Sequence, residues 1–324
     1  MTTSTDAIRA AVGAVLIALS TCIHLYFNGK LTGMSGMLFR NLFMEFDNNT
    51  WGMMLGVMLA GSLHFLIGTE TSWYTFPPAE SSVSGLGWPG FVIGGFLVGL
   101  GTKMANGCTS GHGICGMPRW SLRSWLAVPT FLSFAIGTAN ILYYAKLMDM
   151  NYRDPELSQD ARKVYNYILF GLILIGIAAL FTKAENRQSK ATYFVSVLVG
   201  GMFGAGLIIS QMSEREMIRG FLVWNSEWQY PLLIVFAGAV GFNVCAFYFL
   251  LKKEPYLVEK HEIPANKDID WKLLLGSALF GIGWGTCNFC PGPLLVTFPR
   301  FIPQITVGIF TGVVAGQAAA KRLL

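Results

Sequence analysis

Two stretches of this 324-residue chain concentrate its thiols, Gly107-Cys-Thr-Ser-Gly-His-Gly-Ile-Cys-Gly-Met-Pro-Arg119 and Cys287-Asn-Phe-Cys-Pro-Gly-Pro293. A thiol is a weak S–H donor carrying a soft, polarizable sulfur. It can therefore hold a sulfur-bearing anion loosely, and a site used for passage must let its occupant leave as well as enter. Cys108 and Cys290 are the leading candidates for such a role. The same residues admit two other chemistries. A thiolate at Cys108 or Cys290 could form a persulfide, which would make the chain a membrane sulfurtransferase. Alternatively, Cys108, His112 and Cys115 together with Cys287 and Cys290 could ligate zinc or an iron–sulfur cluster, or Cys287 and Cys290 could form a redox pair. The spacing of the first cluster is not that of a standard finger or ferredoxin.

Both stretches interrupt apolar segments where a membrane helix should simply continue. Glycines at 101, 107, 111, 113 and 116 let the first one bend and expose N–H groups. Non-helical backbone at membrane depth survives only when packed in protein or lining a polar cavity, so both stretches should face the interior. Thr109-Ser110-Gly111-His112 can open a short helix after Cys108, and Pro291-Gly292 can do so after Cys290, with proline at the first helical position. Converging helix N-termini offer free N–H groups and positive dipole ends, hence an anion site without many full charges. Lys103, within an apolar span, either faces that cavity or snorkels to the interface. The pathway set expected from the sequence also includes Asn106, Gly107, Asn288, Ser35 and Ser213.

The elements that must position these residues are membrane helices. The chain is 53% hydrophobic and 13% charged, with a mean hydropathy of +0.50, too apolar for an ordinary soluble fold. Runs long enough to span occur near 7–27, 51–68, 88–106, 120–145, 164–182, 191–210, 229–251, 271–286 and 302–320. Segments 28–46, 107–118, 211–224 and 288–300 are too short to span and too apolar for loops, so they read as re-entrant. A shift of 182 residues lays Gly94, Gly99, Gly101, Asn106 and Cys108 onto Gly276, Gly281, Gly283, Asn288 and Cys290. A weaker match pairs Met34-Ser35 with Met212-Ser213. The expected architecture is a single all-α polytopic membrane domain over 1–324, with about nine transmembrane helices and four re-entrant helix-loops in an inverted repeat. Its first half is 1–145, a linking helix and loops occupy 146–190, and the inverted second half is 191–324. In such plans the site lies near the midplane where the repeats meet.

Counting Lys and Arg by side gives 15 against 8, and the positive-inside rule then puts the N-terminus outside and the C-terminus in the cytoplasm of an inner or plasma membrane. The net charge of +5 is spread over short loops and forms no nucleic-acid patch. There is no phosphate-binding loop, nucleotide fingerprint or Ser/His/Asp arrangement, so no cofactor and no enzymatic activity are expected.

These motifs resemble the two signature loops of the YeeE/YedE sulfur-transport family: Gly107-Cys-Thr-Ser-Gly-His-Gly113 with Cys115-Gly-x-Pro-Arg119, and Gly283-Trp-Gly285 leading to Cys290-Pro-Gly-Pro293. Gly33-Met-Ser-Gly36, Gly204-Ala-Gly-Leu207 and Gly220-Phe-Leu222 extend the likeness to both halves. The resemblance implies an hourglass-shaped protein whose re-entrant loops meet at the centre. It also implies uptake of thiosulfate handed between cysteines by hydrogen bonds, with a cytoplasmic sulfurtransferase as a candidate partner. By the same resemblance Cys108 and Cys290 match the pathway cysteines, and Lys103 a position that is often basic. Lys30-Leu-Thr-Gly33 stands where some members carry a third cysteine, for which Cys22 or Cys287 could substitute.

Overall fold

The structure, a computed structural model, describes residues 4–44, 47–68, 86–148, 159–184, 186–264 and 268–323. In chain order its helices are α1 (Ser4–Asn28), α2 (Met34–Phe43), α3 (Asn48–Gly68), α4 (Gly87–Met104), a π-helical turn (Thr109–Gly116), α5 (Leu122–Tyr144), α6 (Gln159–Lys183), α7 (Arg187–Ile209), α8 (Arg215–Leu222), α9 (Pro231–Leu250), α10 (Trp271–Cys287), α11 (Pro291–Thr297), a π-helical stretch (Gln304–Ile309) and α12 (Phe310–Leu323). Among the described residues seven helical segments are long and apolar enough to cross a bilayer. An eighth is counted if α4 and the turn after it, bent by 44°, form one broken span. The expected stretch 302–320 is helical too, but it is divided between the π-helical segment and α12. The chain is an all-α polytopic membrane protein. Each of the four expected re-entrant segments carries a short helix: α2, the π turn, α8 and α11.

Glycines set how closely the central helices approach. A Cβ added at Gly101 of α4 would lie 2.3 Å from Phe280 N and 2.6 Å from Gly276 O, while one added at Gly283 of α10 would lie 2.6 Å from both Val98 N and Gly94 O. A shift of 182 residues turns one set of neighbours into the other. Likewise Gly99 meets Val313 O and Gly281 meets Phe131 O. The outer helices repeat the pattern, since α3 packs on α7 as α9 packs on α1, and α12 on α4 as α5 on α10. Such reciprocal contacts are those of two copies related by a two-fold axis. Small residues carry them because lipid provides no hydrophobic drive between helices, so close van der Waals approach must.

Buried polar pairs fix the ends. Asn28 Nδ2 donates to Thr192 O at 3.0 Å and to Ser196 Oγ at 2.8 Å, while Gly13 lies against Gly206 and Ser210. Helix α1 is therefore antiparallel to α7. Helix α6 lies outside the two-fold pattern. It rests chiefly on α3, where Ser62 Oγ donates to Asn166 Oδ1 at 2.7 Å, and its apolar residues Ile168, Leu172 and Ile175 are exposed, as a lipid-facing surface requires.

Candidate functional site

The repeated Gly-x4-Asn-x-Cys is a device for ending one helix and starting another. Asn106 and Asn288 are both left-handed, at φ 58° and 55°, a conformation Asn tolerates better than most residues. Two positions later Cys108 and Cys290 cap the next helix in extended conformation. Their carbonyls accept from His112 N at 2.9 Å and Leu294 N at 3.1 Å. No side chain caps either helix start, so the first N–H groups of the π turn remain available to a ligand, whereas Pro291 and Pro293 leave the first turn of α11 only the Gly292 N–H free of the helix. The device continues in Met117-Pro-Arg119 and Phe298-Pro-Arg300. Each forms a 3₁₀ turn followed by a left-handed aromatic residue, Trp120 or Phe301.

These helix starts meet at a waist. Thr109 Oγ1 lies 3.5 Å from Cys290 Sγ, Cys108 Sγ lies 3.2 Å from Ser110 Oγ, and Ser110 Oγ accepts from the first N–H of α2, that of Met34, at 3.1 Å. Two thiols, two hydroxyls and three helix N-termini thus share one small volume. Cys108 is 1% and Cys290 8% exposed.

A cavity approaches the waist from each end of the molecule. The larger, about 810 Å³, opens at the end bearing the C-termini of α1 and α4. Its walls include Ser35, Asn106, Gly107, Gly111 and His112, with Lys30, Arg40, Arg119 and Arg123 around them. Lys30 is paired with Asp47 and Glu262, and Arg123 with Asp270 and the carbonyl of Asp268. Among the described residues no carboxylate lies within ion-pairing distance of Arg40 or Arg119. The Ser35 hydroxyl is buried without a hydrogen-bond partner among the described residues. The smaller cavity, about 120 Å³, lies beyond the waist. Thr109, Ser110, Cys290 and Gly292 line it beside Ile17, Met34, Phe131, Phe203, Phe221, Phe236 and Trp284, and no charged side chain does.

The remaining expected site residues make their own contacts around this arrangement. His112 has both ring nitrogens engaged, Nδ1 with Ser124 Oγ at 3.0 Å and Nε2 with Ala105 O at 3.1 Å. Because a carbonyl only accepts, Nε2 carries the proton and Nδ1 accepts from the serine. Its ring covers Gly107, where a Cβ would come within 2.6 Å. Cys115 Sγ donates to Thr32 O at 3.3 Å, fastening the π turn to the chain entering α2. Cys287 is packed in the α4–α10 crossing against Gly94, with Sγ 3.6 Å from Phe289 O. Among the described residues no three His, Cys, Asp or Glu groups come close enough to hold a metal ion. Lys103 lines neither cavity. Its ammonium lies 3.8 Å from the centroid of the Phe39 ring, a cation–π contact with α2. Ser213 is buried, and its hydroxyl donates to Glu214 Oε1 at 3.4 Å.

Sequence reasoning passed over Asn243 of α9. Its Nδ2 donates to Ile114 O and to Thr21 Oγ1, both at 2.9 Å, and its Oδ1 accepts from Cys22 Sγ at 3.3 Å. It thereby ties the π turn to two spans. A lone amide in the otherwise apolar segment 231–250 was the available signal.

Residues 3–139 match the family described as "Sulphur transport", and residues 191–321 match a family described only as of unknown function, DUF6691. A protein of Xylella fastidiosa named "Probable transporter" is 37% identical over 131 residues, 40% of this chain and 91% of the relative, in strains Temecula1 and 9a5c alike. This chain belongs to the sulphur transport family. A second relative of that name, from strain Temecula1, is 37% identical over 139 residues, 42% of this chain and 93% of its own length. Each of these transport-family relatives is thus less than half as long as this chain. The two matched stretches leave α6 outside. Family and relatives make the chain a membrane transporter with a sulfur compound as its solute.

Proposed function

We propose that the chain takes up thiosulfate or a closely related small sulfur oxyanion, which crosses unchanged between Cys108 and Cys290. The observation that carries this reading is the 3.5 Å contact between Thr109 Oγ1 and Cys290 Sγ, because Thr109 directly follows Cys108. Two weak S–H donors and two hydroxyls are thereby within one step of each other. The uncapped N–H groups of the π turn stabilise the anion through their dipole, and the thiols hold it loosely enough to release it. Arg40 and Arg119, without carboxylate partners among the described residues, make the vestibule attractive to anions. Lys and Arg totals favour an outside N-terminus and a cytoplasmic C-terminus. With that orientation the vestibule is the cytoplasmic side, where a sulfurtransferase could receive the anion.

The test is growth on thiosulfate as sole sulfur source in a strain lacking other uptake routes. Cells carrying the unmodified chain grow, whereas Cys108→Ala and Cys290→Ala cells do not. Growth of both variants at the unmodified rate would defeat the relay. A persulfide on Cys108 or Cys290 after thiosulfate exposure, about 32 Da by mass spectrometry, would favour a sulfurtransferase instead.

A further inference from the structure

The two ends of the molecule differ at one matched position. Arg119 and Arg300 hold the same place in their repeats, each closing a 3₁₀ turn ahead of a left-handed aromatic residue. Arg119 faces the vestibule, and its Nε donates to Cys115 O at 3.2 Å. Arg300 instead donates from Nη1 to Glu214 Oε2 at 2.9 Å, in a pair whose side chains are only 21% and 17% exposed. The pair joins the two segments that wall the apolar pocket: Met212, Ile218 and Phe221 belong to one, and Cys290, Gly292 and Pro293 to the other. A second contact reinforces it. Tyr165 of α6 donates to Phe298 O at 3.5 Å, and its ring centroid lies 4.5 Å from that of Phe301. On the vestibule side the matched Trp120 is 70% exposed.

The geometry points to the Glu214–Arg300 pair as the latch that shuts the pocket, with Cys290 in its wall, off from the α8 face of the molecule while the vestibule end stands open. The inference rests on reading the waist as a pathway. Removing either partner breaks this tie between the α8 loop and the turn after α11, which favours their separation. That separation extends the pocket from Cys290 outward to the α8 face, and alternating opening of the two ends is how a repeat-built transporter passes a solute.

The test follows Cys290 in vesicles holding the full chain in a known orientation. A charged, membrane-impermeant methanethiosulfonate is applied to one face at a time, and the Cys290 peptide is quantified by mass spectrometry. Labelling of the unmodified protein from the α8 face should be slow. Glu214→Gln and Arg300→Gln should each raise that rate about tenfold, from that face alone. Arg300→Lys, which keeps the charge, should stay close to the unmodified rate. Exchanging the charges in Glu214→Arg with Arg300→Glu should restore protection and show that the single variants are not merely unfolded. An unchanged rate in both single variants, equal acceleration from both faces, or a folded double variant that stays fast would overturn the latch. Because labelling is read rather than uptake, the latch can fail while transport of the anion stands, and the reverse.

Discussion

On the vestibule side of the waist, α2, the π turn and α5 surround about 810 Å³ of space with two arginines that have no carboxylate partner among the described residues. On the other side, α8, α9 and α11 enclose about 120 Å³ of aromatic and aliphatic wall, with the matching arginine neutralised by Glu214. Both sides come from one repeated helix–bend–helix plan, so the backbone device is shared and the difference lies in side chains added to it. The shared part holds two cysteines in place. The unshared part makes one side wide and the other narrow and tied.

The comparison can be broken first at its shared part. Gly101→Val in α4 and Gly283→Val in α10 should be equally damaging, since each drives a side chain into the partner backbone at 2.6 Å or less. Overpacking of this kind costs about 1–3 kcal/mol and more where backbone must move. Both variants should be lost from the monodisperse peak in size-exclusion chromatography, and tolerance of either alone would show that the halves are not equivalent there. A smaller, equally matched effect is expected at the bends. Asn106→Ala and Asn288→Ala should each lower the melting temperature by the equivalent of about 1–2 kcal/mol, the cost of placing an ordinary residue in left-handed conformation. Glycine at either position should restore it.

The unshared part sharpens the comparison through unequal responses. Arg119→Gln should weaken uptake a few-fold at low substrate concentration, with a gap that narrows as salt is raised, because an open cavity lets ions screen its field. Flux assays across a salt series would show it. The smallest effects should come from the matched aromatic residues. Phe301→Ala, which loses its contact with Tyr165, should lower the melting temperature measurably, whereas exposed Trp120→Ala should stay within about 0.5 kcal/mol.

Much of this plan was legible in the sequence because the bilayer makes it so: apolar runs must be helices, and a thiol-bearing bend between them must be sheltered. The Gly-x4-Asn-x-Cys repeat by itself marks both bends. Its Asn residues, however, serve the backbone by adopting left-handed conformation, and side-chain type alone does not separate that role from ligand binding. Lys103 left two alternatives open for a similar reason. A cation in an apolar span needs a partner, and here the partner is the ring of Phe39, distant in sequence. The Asn243 network and the Glu214–Arg300 pair join residues 129 and 86 positions apart. Only tertiary packing shows that one end is wide and the other tied.

The central claim is that an anion sits between Cys108 and Cys290 on its way through. It is tested most directly by a structure determined with selenosulfate, a thiosulfate analogue whose selenium gives an anomalous signal. The account requires an anomalous peak at the waist, within hydrogen-bonding reach of Thr109 and of at least one of the two thiols. Selenium found only among the vestibule arginines or at the lipid-facing surface, with the waist empty at saturating concentration, would contradict it.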